Sequence, residues 1–237
     1  MKKAFRLILF IIAFCNAQFL FAQDDEDSIP KAVILEDGPP SEPPKSIHIV
    51  SIRLNGGVPN PASSQLFRKR MIGIYEANVS VTLRLGKYMY AGLGYKNALF
   101  SVSNRTKFGN HTKLQTNSAY ARIGYDKYHS GKVFSSIYLN GGYMHGFYTS
   151  VTNQDTKPHD LNVRTTFIQP NYSINFFAEE RMTLGFYFGY NYMLWQFDPD
   201  QINLRDTDPD VSKFSTSGNA SYWIIGLEMY IGLGKLK

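Results

Sequence analysis

Met182-Thr183-Leu184-Gly185-Phe186-Tyr187-Phe188-Gly189-Tyr190-Asn191-Tyr192-Met193-Leu194 decides the fold. Met182, Leu184, Phe186, Phe188, Tyr190, Tyr192 and Leu194 share one parity, and Thr183, Gly185, Tyr187, Gly189 and Asn191 share the other. Successive strand side chains point to opposite faces, so this period of two predicts a strand with one apolar and one polar face. No apolar spacing of three and four is present to support a helix. The final stretch repeats the pattern. Trp223, Ile225, Leu227, Met229, Ile231 and Leu233 alternate with Tyr222, Gly226, Glu228, Tyr230 and Gly232.

Working outward, the same alternation recurs eight times. The predicted strands are Ile47–Val58, Met71–Leu85, Tyr88–Val102, Leu114–Tyr128, Lys132–Val151, Leu161–Ala178, Arg181–Phe197 and Asn219–Gly234. Each exceeds the roughly 9–11 residues that cross a bilayer at barrel tilt. The connections alternate in length. Pro59–Arg70, Ser103–Lys113, Thr152–Asp160 and Asp198–Gly218 are long; Gly86-Lys87, His129-Ser130-Gly131 and Glu179-Glu180 are short. Transmembrane barrels put short turns in the periplasm and long loops outside. The expected fold is therefore all-β, an eight-stranded antiparallel up-and-down transmembrane barrel over residues 47–237 with both termini periplasmic. Pro170 lies inside the sixth strand, where a closed barrel has no free edge, and predicts a bulge at Gln169-Pro170.

The residues before the barrel read differently. Lys2, Lys3 and Arg6 precede an apolar run, Leu7 to Phe14, and Ala22 offers a small residue for cleavage. This is the pattern of a signal peptide over residues 1–22. Its removal takes the formal charge from +6 to +3 and removes Cys15, the sole cysteine. So mild a balance gives no argument for nucleic acid. Residues 23–46 carry the acidic run Asp24-Asp25-Glu26-Asp27 and the stiff Gly38-Pro39-Pro40-Ser41-Glu42-Pro43-Pro44. Their composition predicts a disordered periplasmic spacer. Within it Ala32-Val33-Ile34-Leu35 offers a short apolar patch for a partner.

The signal, the alternating strands and the long–short loop rhythm resemble the OmpA-transmembrane, OmpX and OmpW group of small outer-membrane barrels. Ala22-Gln23 and the Gly-aromatic strands also resemble the PorT-like barrels of Bacteroidota. The resemblance implies insertion through the barrel-assembly machinery and residence among outer-membrane lipid and lipopolysaccharide. Such barrels usually end on an aromatic residue; this chain ends Leu233-Gly234-Lys235-Leu236-Lys237.

The lumen parity collects Arg53, Glu76, Arg84, Lys96, Arg122 and Glu228, with Asn55, Asn78, Asn140, Gln169 and Asn171 among the polar companions. Charges at membrane depth must face the interior and pair. A two-residue turn at Gly86 would set Glu76 directly opposite Lys96, and barrel closure would bring Glu228 to Arg53. Inward tyrosines, Tyr90, Tyr138 and Tyr222 among them, would fill so narrow a barrel.

No histidine is followed two residues on by serine, and His129-Ser130 would face opposite ways, so no nucleophile–base pair or cofactor motif emerges. Asp206, Asp208 and Asp210 resemble the opening of a calcium loop, although Val211 stands where glycine belongs. Phe67-Arg68-Lys69-Arg70 would meet lipopolysaccharide phosphates or anchor at the interface. The expected function is a non-enzymatic structural or interaction barrel, an accessory subunit of an envelope assembly that engages partners through its tail or outer loops. The alternatives are a narrow passage or pocket for a small or hydrophobic solute and, more distantly, a lipid-A-modifying enzyme.

Overall fold

A computed structural model describes residues 48–102, 111–151, 162–179, 181–198 and 218–235. The signal peptide, the acidic segment and the Asp206-Asp208-Asp210 loop lie outside the described residues. Eight strands form the barrel: β1 (His48–Ser63), β2 (Met71–Arg84), β3 (Met89–Val102), β4 (His111–Ser130), β5 (Val133–Val151), β6 (Asn162–Phe177), β7 (Met182–Gln196) and β8 (Asn219–Lys235). One short helix, α1 (Gln65–Arg70), separates β1 from β2. Every strand pairs antiparallel with its sequence neighbour, and β1 pairs with β8 to close the sheet.

Closure pairs the first strand with the last, so the ladders satisfy most of the strand backbone internally, as hydrocarbon surroundings require. The two-residue period then sorts the side chains. Outward positions hold Leu93, Ile123, Ile137, Ile168, Phe186, Ile225 and Leu227, all exposed. Such a continuous apolar outer surface suits acyl chains, not water. Inward positions hold the buried polar and aromatic residues.

Three sequence-based expectations are corrected. The first connection is not a loop from Pro59. The β1–β2 ladder ends at Gly57–Glu76, but β1 continues along β8, with Pro59 opposite Ile224 and Pro61 opposite Tyr222. A strand bare on one side loses no ladder bond to a proline. The Pro59 carbonyl turns toward β2, where a Cβ on Gly73 would lie 1.8 Å from its oxygen; only glycine fits there. Second, the β2–β3 turn is longer than two residues: Leu85 N donates to Met89 O at 2.9 Å. The register moves accordingly, setting Lys96 opposite Asn78 and Glu76 opposite Ala98. Third, Pro170 makes no bulge. The β5–β6 register runs unbroken through Gln169 and Pro170, and the β6–β7 ladder skips both residues and resumes in the same register. Asn171 Nδ2 donates to Gln169 O at 2.7 Å, occupying a carbonyl in the gap.

Candidate functional site

The barrel interior is layered. Toward the α1 end it is apolar. Leu66 and Phe67 of α1 turn inward and are fully buried. Phe67 packs on Phe100 and Phe197, with ring centroids 5.6 Å apart in each case, and edge-on to Trp195 at 6.4 Å. Met71, Leu114, Met144, Tyr148, Phe167 and Met193 complete this layer. Phe67 therefore caps the barrel, while Arg68 and Lys69 of the same helix stay exposed. Trp195 and Phe197, at the base of the last loop, belong to the cap as well.

Below the cap lies a first polar cluster. Lys96 Nζ donates to Gln169 Oε1 at 2.8 Å and to Tyr222 Oη at 3.3 Å, and it lies 3.8 Å from Glu76 Oε2. Tyr222 Oη donates to Glu76 Oε2, and Gln169 Nε2 donates to Glu76 Oε1 at 3.3 Å. Glu76 and Lys96 thus meet diagonally, bridged by a tyrosine and an amide. Lys96 also stands 3.9 Å from the centre of the Phe167 ring, a cation–π contact that joins the polar cluster to the cap.

A second cluster fills the end carrying the short turns. Asp126 is its centre. Arg53 Nη2 donates to both Asp126 oxygens at 3.2 and 3.3 Å, Arg84 Nη2 donates at 2.6 Å, and Ser136 Oγ donates at 2.5 Å. Arg53 also lies 3.8 Å from Glu228, and its guanidinium stacks 3.8 Å from the centre of the Tyr90 ring. Arg122 Nε donates to Asn140 at 2.8 Å, and the guanidinium lies 4.3 Å over Tyr138. Arg53, Glu76, Arg84, Lys96, Arg122 and Glu228 all face the interior, and the structure gathers them into these two clusters. Asp126 was missed. It shares the parity of Arg122 two turns of the pleat away, which is the signal that could have found it.

Glycines make room for this filling. A Cβ on Gly124 would lie 2.3 Å from the Tyr90 ring and 2.8 Å from Tyr138 Cβ. Gly124→Ala should push Tyr90 off Arg53 and cost about 1–3 kcal/mol by overpacking. A urea titration of the refolded barrel in detergent, read by its heat-modifiable gel shift, measures this directly. An unchanged midpoint would show that Tyr90 repacks freely.

No protein-family model matches the chain, and no curated protein matches it. Solved structures do. Neisserial surface protein A superposes with a TM-score of 0.51 at 12 % identity, covering 78 % of this chain and 97 % of that one. The fold is that of a small outer-membrane barrel. A major outer membrane protein from Thermus thermophilus gives 0.47 at 14 % identity, covering 78 % and 100 %. The outer membrane protein OprG from Pseudomonas aeruginosa gives 0.46 at 9 % identity, covering 81 % and 98 %. At 12 % identity the likeness to the Neisserial protein carries the architecture and no residue roles.

At the turn end, His129 Nε2 lies 2.8 Å from Ser135 Oγ, a pairing across the β4–β5 turn that no sequence spacing indicated. Ser135 is buried, so this hydroxyl is covered rather than presented to a substrate. Among the described residues no group of three or more metal-ligating side chains occurs.

Proposed function

We propose that the protein is a non-enzymatic barrel of the bacterial outer membrane, with both termini in the periplasm, acting as a structural or interaction subunit of a larger envelope assembly. The observation that carries this reading is the filled interior: an aromatic cap above two ionic clusters, all built from buried side chains. An eight-stranded barrel is just wide enough for side chains to fill it. What remains for function is the outer surface, the loop end and the segment before β1. Purification from gently solubilised membranes should bring down stoichiometric partners. A lone monomer under every mild condition would overturn the subunit reading.

A second reading, passage of a small polar solute, has one observation in its favour. Both carboxylate oxygens of Glu228, Arg122 Nη1 and the Tyr187 hydroxyl are buried and make no hydrogen bond among the described residues. These groups retain hydrogen-bonding capacity inside the barrel. Planar-bilayer recordings separate the readings. The filled barrel should leave the bilayer at its baseline conductance, whereas steady conductance lost in Lys96→Ala or Glu76→Ala would install the passage reading instead.

A further inference from the structure

One side of the barrel carries a polar row on its outward face, close to the loop end. Asn97 on β3 pairs with Asn117 on β4, Asn117 with His145 on β5, and His145 with Arg164 on β6. The row is held rigidly at one end. Tyr75 Oη donates to Asn97 Oδ1 at 2.6 Å, Tyr95 Oη donates to Asn117 Oδ1 at 2.7 Å, and Asn97 Nδ2 donates to Asn117 Oδ1 at 2.6 Å. At the other end Arg164 is exposed, while His145 is half-buried with its Nε2 covered and making no hydrogen bond among the described residues. Lys113, two outward positions beyond Asn117 toward the loops, is exposed too.

Three features define what would lie against this row. The first is charge. The carboxylates on the described strands, Glu76, Asp126 and Glu228, all point into the barrel, so among the described residues this outer face carries cations and no strand carboxylate. The second is position. Tyr95 and Tyr143 flank the row on its membrane side, and Leu93, Ile123, Leu139 and Ile168 continue below as exposed apolar surface. Tyrosines of this kind mark the headgroup level. The occupant is therefore an amphiphile whose chains lie on the apolar face and whose anionic head reaches the row. The third is hydrogen-bonding type. Gln115 and Asn117 carry amides on the strand that also bears Lys113, a mixture suited to sugar hydroxyls next to phosphate.

We infer that the outward row Asn97–Asn117–His145–Arg164, with Lys113, binds the head of a phosphorylated glycolipid of the outer leaflet. This rests on the outer-membrane reading above but not on any protein partner. Arg164 and Lys113 hold phosphate, the amides hold the saccharide, and the β3–β6 belt receives the acyl chains. The site is separate from the exposed Arg68 and Lys69 of α1, which serve as its control.

The test is lipid retention by the full mature chain in detergent micelles, counted by native mass spectrometry. The probes are a bis-phosphorylated diglucosamine lipid, its phosphate-free form and phosphatidylglycerol. The phosphorylated glycolipid should bind in preference to both others. Arg164→Glu should weaken it about tenfold, the loss of one charge-assisted hydrogen bond. Arg164→Lys should restore part of the affinity, and Arg68→Glu should leave it unchanged. Because Arg164 faces outward, its variants should keep the heat-modifiable gel shift, which separates lost binding from lost folding. Equal binding of the phosphate-free lipid, equal binding of phosphatidylglycerol, or indifference to Arg164→Glu would each overturn the inference. Micellar binding does not depend on partners or conductance, so its failure would leave the proposed function standing.

Discussion

Asp126→Ala should be the most damaging single substitution in the barrel, costing about 3–5 kcal/mol. Asp126 is fully buried and accepts hydrogen bonds from Arg53, Arg84 and Ser136. Its removal leaves Arg53 with only Glu228, 3.8 Å away, and leaves Arg84 with no carboxylate among the described residues. Two guanidinium groups would then face each other where one anion had separated them. Breaking a buried ion pair from one side is costly because the remaining charge stays desolvated. Asp126→Asn should lose most of the same stability, since it keeps the shape and removes the charge. Urea unfolding in detergent reads both variants. A shift below about 0.5 kcal/mol, the range of ordinary surface substitutions, would mean that the cluster is hydrated well enough to tolerate the loss.

The second large effect is expected at Phe67. Truncating a buried phenylalanine to alanine costs about 3–5 kcal/mol. Here the loss should fall on α1 alone, because the helix has six residues and is held chiefly by Leu66 and Phe67. Phe67→Ala should therefore undock the cap while the ladders persist, a local opening rather than global unfolding. Trypsin reports it, since Arg68, Lys69 and Arg70 follow directly in the chain. At about 1.4 kcal/mol per tenfold, a loss near 3 kcal/mol should raise cleavage there about a hundredfold. Unchanged cleavage would show that Leu66 holds the helix without Phe67.

The barrel was readable because its two faces obey different chemistry. Along β7 and β8 a one-residue slip would put Phe186 or Ile225 inside and Asn191 or Glu228 into lipid, so the alternation leaves one strand reading. Parity alone likewise put Arg53, Glu76, Lys96, Arg122 and Glu228 on the inner face. What parity cannot supply is register, which depends on turn length. Glu76 was expected to face Lys96 squarely, and a turn longer than two residues moved it to the diagonal. Asp126 escaped because it lies near the end of β4, beyond the stretch where charges look out of place. The helix α1 escaped because six residues are too few to show a period and Pro59 and Pro61 read as the start of a loop. The outward row on β3–β6 was invisible for another reason: Asn97, Asn117, His145 and Arg164 are scattered in the sequence and become neighbours only through three successive strand pairings.

The arrangement around Asp126 also sets an order of events. Arg53 comes from the first strand, Arg84 from the second, Asp126 from the fourth and Glu228 from the eighth. No hairpin of consecutive strands contains the whole set, and the seam between His48 and Lys235 joins the first strand to the last. Contacts so distant in sequence form late, after the loop-closure entropy has been overcome. Until β8 meets β1, Arg53 lacks one of its two acidic neighbours and the cluster stays open to solvent along the missing wall. A chain arrested before its last strand would thus carry unsheltered charge at the turn end of its interior. The cluster would then serve as a completeness check, closed only once the final strand has arrived.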